Sequence, residues 1–165
     1  MNRIVSLITA LLLFVPFAGR ARSFSAAPAG AGGATDLTLA PGLSFTDDSS
    51  VNFPIRGRHL DDGQIASDRP TIVFFGTSHC WNTNREAERL VAFFGRHKDD
   101  ARFVVVDLDR VSPPQRSLVE NLYRGYIPTV AVFNARGEIV YDRSGETSRA
   151  RADIRGLEEI FSKTK

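Results

Sequence analysis

The chain has 165 residues, 42% of them apolar and twelve of them Phe, which is enough to pack one domain and excludes a wholly disordered chain. Of its 21 basic residues, Arg3, Arg20 and Arg22 fall in the first 25 positions, leaving 18 basic against 19 acidic side chains. No basic stripe interleaved with aromatics follows, so nucleic acid is not an expected partner.

Arg3 precedes an apolar run from Ile4 to Ala18 (IVSLITALLLFVPFA). A positive start followed by a short apolar stretch reads as a secretory signal peptide over residues 1–25. Ser23, Ser25, Ala26, Ala27 and Ala29 offer small residues for cleavage. The run is short for a membrane span and Pro16 interrupts it, although an uncleaved segment would leave a membrane anchor. The expected location is therefore periplasmic or secreted. Residues 26–50 read as a flexible linker and N-terminal extension: Ala26 to Ala34 is Ala/Gly/Pro-rich, and Asp36 to Ser50 shows only weak alternation. The domain is expected over 51–165, beginning with a short strand at Val51–Ile55 before the turn residues Asp61-Asp62-Gly63.

Thr71–Phe75 (TIVFF) is a continuous apolar and β-branched run of strand length. Gly76 to His79 forms a loop. Ala87, Leu90, Val91 and Phe94 then recur at helical spacing and make one apolar stripe. Arg102–Leu108 reads as a second buried strand. Ser112 is a good N-cap with Pro113 in the first turn, and the helix that follows carries Leu118, Val119, Leu122 and Tyr123 up to Gly125. Thr129–Phe133 is a third strand, and a turn at Asn134–Gly137 returns the chain as a fourth strand over Glu138–Tyr141 in an antiparallel hairpin. Thr147 or Ser148 can cap a last helix in which Ile154, Leu157 and Phe161 share a face. Alternation with helices predicts that the first three strands are parallel. Strands apolar on both sides require helices on both faces, so the fold class is α/β with a central mixed sheet flanked by helices.

Export implies an oxidising compartment, yet Cys80 is the chain's one cysteine, so it has no partner within the chain. It is expected at a helix start, where unpaired N–H groups and a partial positive charge favour a thiolate.

The strand before Cys80, the helix after it, and Tyr126-Ile127-Pro128-Thr129 leading into a strand, an N-x-x-G turn and a second strand resemble the thioredoxin-like superfamily. The resemblance spans roughly 69–163. It implies a thioredoxin-like fold with a cis proline at Pro128, which would place the Ile127 backbone beside Cys80 for an extended substrate segment. The motif departs from that family's C-x-x-C, because Cys80-Trp81-Asn82-Thr83 has Thr83 where the resolving thiol would stand. His79 replaces the usual aromatic residue before the cysteine. Phe74 occupies the place of the buried carboxylate. Dithiol reduction needs the second thiol to release product, so ordinary thioredoxin turnover is not expected.

Two functions of different class follow. In the first, Cys80 is the nucleophile of a monothiol oxidoreductase or isomerase. Thr83 would hydrogen-bond the sulfur, His79 would lower the thiol's pKa or relay protons, and Trp81, Ile127 and Pro128 would hold the client. Its partners are client protein thiols or disulfides and an external thiol reductant. In the second, the same surface is a redox-inactive protein-binding module. A thiol peroxidase is a third reading, from Thr77-x-x-Cys80 and Cys80-x-x-Thr83, but Val73 stands where a peroxiredoxin-like motif has Pro. His79 read alone is an exposed polar residue. His79 and Cys80 do not make a metal site, since no second cysteine or clustered histidine supports them, and neither metal nor cofactor is expected. Asp107, Asp109 and Arg110 read as solvated charge in a surface turn, and the protein is expected to be a monomer.

Overall fold

A computed structural model describes residues 36–146 and 154–164. The expected signal peptide, the linker over Ala26–Ala34 and the cap at Thr147 or Ser148 lie outside the described residues. The elements are β1 (Leu37–Leu39), β2 (Ile55–Gly57), β3 (Thr71–Gly76), α1 (Trp81–His97), β4 (Arg102–Asp107), a 3₁₀ turn (Pro113–Gln115), α2 (Arg116–Leu122), β5 (Thr129–Phe133), β6 (Ile139–Ser144) and α3 (Ile154–Ser162). Among the described residues no helix is long and apolar enough to cross a membrane.

β3 to β6 form one mixed sheet in the order β4–β3–β5–β6. Every residue of β3 and β5 is buried. Side chains alternate between faces along a strand, so these two strands serve two separate cores. Ile72, Phe74, Val105, Val130 and Val132 pack with Ala87, Leu90, Phe93 and Phe94 of α1 and with Phe161 of α3. Val73, Phe75, Val104, Val106, Ala131 and Phe133 pack with Leu118 and Leu122 of α2. Helices thus cover both faces, as continuous apolar strands demand. The mixed sheet and its flanking helices make a thioredoxin-like fold, and the Ile127–Pro128 peptide entering β5 is cis.

One expectation is corrected. β3 and β4 are parallel, but β5 runs antiparallel to β3, with Phe75 opposite Thr129 and Thr71 opposite Phe133. The reason is length. β4 has six residues, about 20 Å of strand, whereas the seven residues of α2 rise only about 10 Å. The chain leaving α2 is still near the end of the sheet that β4 left, so β5 enters there and runs back. β6 is also longer than expected, extending to Ser144, with Val140 as an extra residue opposite the Val132/Phe133 step of β5.

Residues 36–50 are not a loose extension. β1 pairs antiparallel with β2 through Leu37–Gly57 and Leu39–Ile55. Leu37 and Ile55 are buried in the α1-side core with Phe74. The segment after β2 runs on to β4, where Gln115 secures it. The Gln115 Nε2 donates to the carbonyls of Leu60 (2.6 Å) and Val105 (2.8 Å). Arg102 and Asp62 form an ion pair beside it. A folded boundary placed at residue 51 therefore falls inside packed structure.

Candidate functional site

β3 ends at Gly76 beside the start of β5, because Phe75 is the register partner of Thr129. The loop from Thr77 to Cys80 and the Ile127–Pro128 peptide therefore lie at one end of the sheet. Cys80 is the N-cap residue of α1, with extended backbone at φ −152° and ψ 108°. Its carbonyl accepts the first helical bond, from Asn84 N–H at 3.1 Å. The thiol is free and partly exposed, and its sulfur caps none of the helix N–H groups. The residue that dithiol chemistry would require is absent, since no other cysteine exists in the chain.

Thr83 is fully buried. It lies against Gly76, where an added Cβ would run into Thr83 Cγ2. Its Oγ1 makes no hydrogen bond. The expected bond from this hydroxyl to the Cys80 sulfur is therefore not formed in this structure, because the side chain is packed inward beneath the end of β3.

His79 is exposed. Trp81 is partly exposed, and the Arg85 guanidinium lies 4.0 Å over its ring, a stacked cation–π pair. Tyr126 is 66% exposed, whereas Ile127 is partly and Pro128 fully covered. The Pro128 carbonyl accepts from Gly145 N–H at 2.8 Å, and Thr129 Oγ1 donates to the Tyr126 carbonyl at 2.7 Å. These bonds fix both ends of the Tyr126–Thr129 turn.

Asp109 and Arg110 are exposed in a turn, as the sequence reading expects, and the cluster after β4 is also hydrogen-bonded to the cysteine loop. Asp109 Oδ2 accepts from Ser78 N–H at 2.9 Å and Ser78 Oγ at 2.6 Å. Those bonds hold the Asp109 carboxyl below its ordinary value, the Ser78 hydroxyl contributing most. Asp107 Oδ1 in turn accepts from Asp109 N–H at 2.9 Å. Burial raises the Asp107 carboxyl. The loop before Cys80 is thus tied to the end of β4.

Sequence reasoning also missed the segment over 44–50, which lies across the start of α1. Asp48 Oδ1 accepts from Trp81 N–H at 2.8 Å. Asn84 Nδ2 donates to Ser44 O at 2.7 Å and Ser50 Oγ at 2.8 Å. Arg85 Nε donates to Phe45 O at 2.8 Å. Nothing in the spacing announces these contacts, which join residues more than thirty positions apart. The only signal is the Asp47-Asp48-Ser49-Ser50 run, a turn-forming composition.

A recess of about 230 Å³ combines an apolar wall of Phe53, Ile55, Leu60 and Val105 with Asp61, Asp107 and Arg110, so the cluster after β4 forms part of its lining. Among the described residues no group of three His, Cys, Asp or Glu side chains is placed to hold a metal ion.

No known family's sequence profile matches the chain. No curated protein matches it either. Several solved structures are similar in chain path. One comes from work on the thiol-resolving mechanism of yeast mitochondrial 1-Cys peroxiredoxin via glutathione and thioredoxin systems. It is 19% identical over 58% of this chain and 79% of its own, with a TM-score of 0.45. Mitochondrial thioredoxin 3 from Saccharomyces cerevisiae, in its oxidized form, is 17% identical over 58% and 79%, with a TM-score of 0.44. Thioredoxin O2 from Arabidopsis thaliana, in its oxidized state, is 15% identical over 59% and 77%, with a TM-score of 0.45.

Proposed function

We propose that this chain is an exported monothiol protein that carries out thiol–disulfide exchange through Cys80. The observation that carries the reading is the placement of a partly exposed, unpaired cysteine as the N-cap of a 17-residue helix. A sulfur there can attack because the helix end favours negative charge.

The Cys80 thiolate attacks one sulfur of a client disulfide. A Cys80–client S–S bond forms, the client S–S bond breaks, and the departing sulfur leaves with the electron pair and takes a proton from solvent. With Thr83 in place of a second thiol, the mixed disulfide waits for an outside thiolate. This is a second client cysteine or a small thiol, which attacks the client sulfur and releases Cys80. No net reduction comes from the chain itself, so the chemistry suits isomerisation or release of mixed disulfides. Trp81, Tyr126 and Ile127 supply apolar surface near the end of the sheet where the client would lie.

The test is to incubate the protein with a disulfide-bonded peptide and follow intact mass. A Cys80–peptide adduct that an added thiol removes, absent in Cys80→Ser, is the expected result. Failure to form any adduct under conditions where a free peptide thiol does would overturn the proposal.

A second reading has its own support. Tyr126 is 66% exposed beside the Ile127–Pro128 peptide, and exposed aromatics of this kind anchor protein partners. A binding module would retain its partner in Cys80→Ser, whereas an exchange protein would lose it.

A further inference from the structure

Of the contacts that lay residues 44–50 across α1, one bears directly on the sulfur. Trp81 is the first residue of α1 and follows Cys80, and its N–H donates to Asp48 Oδ1 at 2.8 Å. Trp81 N–H is the first of the helix's unpaired donors, and an N-cap sulfur would itself use those of the second and third positions, Asn82 and Thr83. Cys80 takes none of them. Asp48 is exposed, and the backbone that carries it is fixed by its neighbours. Ser50 is 2% and Asn84 0% exposed, and they are joined by the Asn84 Nδ2 to Ser50 Oγ bond. Ser44 N–H donates to the same Ser50 Oγ at 2.7 Å. Arg85 closes the other side through Phe45 O. The same turn keeps an unused polar group, the fully buried Thr83 Oγ1, which has no partner. At this helix start one first-turn N–H is therefore engaged by a carboxylate from outside the helix, and none by the sulfur.

We infer that Asp48 is a positioning residue for Cys80: by holding the helix end as a carboxylate, it restrains the thiol's attack on disulfides. The inference rests on the reading of Cys80 as an exchange nucleophile. Two negative charges at one helix end repel, and each lowers the benefit the other draws from it. The remaining charged groups around the loop do not replace Asp48. Asp109 is engaged by Ser78. Arg85 is stacked on Trp81 and bonded to Phe45.

The test uses the full chain and two neutral probes at neutral pH, iodoacetamide and 2-hydroxyethyl disulfide. Asp48→Asn keeps an oxygen acceptor for Trp81 N–H and removes the charge. It should react about two- to five-fold faster than the wild type, the size expected of one charge at a helix end. Asp47→Asn should match the wild type. Added salt should narrow the gap between Asp48→Asn and the wild type, because it screens the Asp48 charge, whereas the helix end's pull on the thiolate is screened equally in both. An Asp48→Asn rate at or below the wild-type rate, with its melting temperature unchanged, would overturn the inference. If Asp48→Asn is less stable, the ratio of the two rates across the salt series decides, and a ratio that does not fall toward one with added salt overturns the inference. A wild type that reacts with iodoacetamide but never with the disulfide would defeat the exchange reading, while the iodoacetamide comparison still decides the role of Asp48.

Discussion

Asp109 receives both the backbone N–H and the hydroxyl of Ser78, two residues before Cys80, so the loop that presents the cysteine is hung from the end of β4. This contact joins positions 31 apart in the chain. It sets the path of the loop independently of the helix that follows.

Asp109→Asn should therefore loosen the loop and lower stability by about 1 kcal/mol at pH 7, a value reduced for the site's exposure to solvent. The pH dependence has a definite sign. The Asp109 carboxyl is lowered from its ordinary value of 3.8, so its contribution is fully present above that value and is lost as pH falls through the lower folded one. Urea unfolding of the two proteins should differ at pH 7 and converge as pH drops below the ordinary carboxyl value.

Gly76→Ala tests the packing under the site. The added methyl would overlap Thr83 Cγ2 and stand 3.2 Å from Phe74 Cζ. A clash of that kind in a filled core costs about 1–3 kcal/mol. Thr83→Ser removes the Cγ2 methyl, so the double variant should recover part of the loss. Thermal melts of the two single variants and the double variant measure the coupling directly.

Glu86 ties α1 to β6. Its carboxylate pairs with Arg89 at 2.5 Å and with Arg143 at 2.5 Å, and its side chain is only 5% exposed. Arg89 also reaches Glu146 at 3.1 Å. Removing one member of a buried charge network leaves the others uncompensated, at about 3–5 kcal/mol. Glu86→Ala should unfold at markedly lower denaturant than the wild type. The Glu86→Ala/Arg143→Met pair should recover part of that loss, because the stranded charge is gone as well.

Thr83→Cys restores a second thiol one turn after Cys80. The buried position under Gly76 keeps it on the inner side of the helix start. Mild oxidation should then close a disulfide between Cys80 and the introduced thiol, and mixed disulfides on Cys80 should clear without added thiol. Intact mass before and after oxidation, with and without alkylation, reads both effects.

Most elements were legible because their patterns are strong. TIVFF, RFVVVDL and TVAVF could only be buried strands, and the Ala87–Leu90–Phe94 spacing could only be one helix face. The direction of β5 was not legible, since it depends on α2 being too short to recross the sheet, and the alternation of elements does not record that length. The site was half legible. Cys80 and the Ile127–Pro128 turn announce themselves through local sequence. Asp48 and Asp109 do not, because each reaches the cysteine loop from a different part of the chain, and single acidic residues in turns look like any solvated charge. Spacing along the helix puts the Thr83 hydroxyl near the sulfur. The close approach of Gly76 turns it inward instead.

The most direct test of the central claim is the alkylation of Cys80 in the folded full chain, compared with the same thiol after denaturation and with Cys80→Ser as the blank. The folded protein should be alkylated at neutral pH without unfolding, and disulfide reagents should compete for the same sulfur. A thiol that reacts only once the protein is unfolded would contradict it and would leave the surface around Tyr126 and Trp81 as a binding site without chemistry.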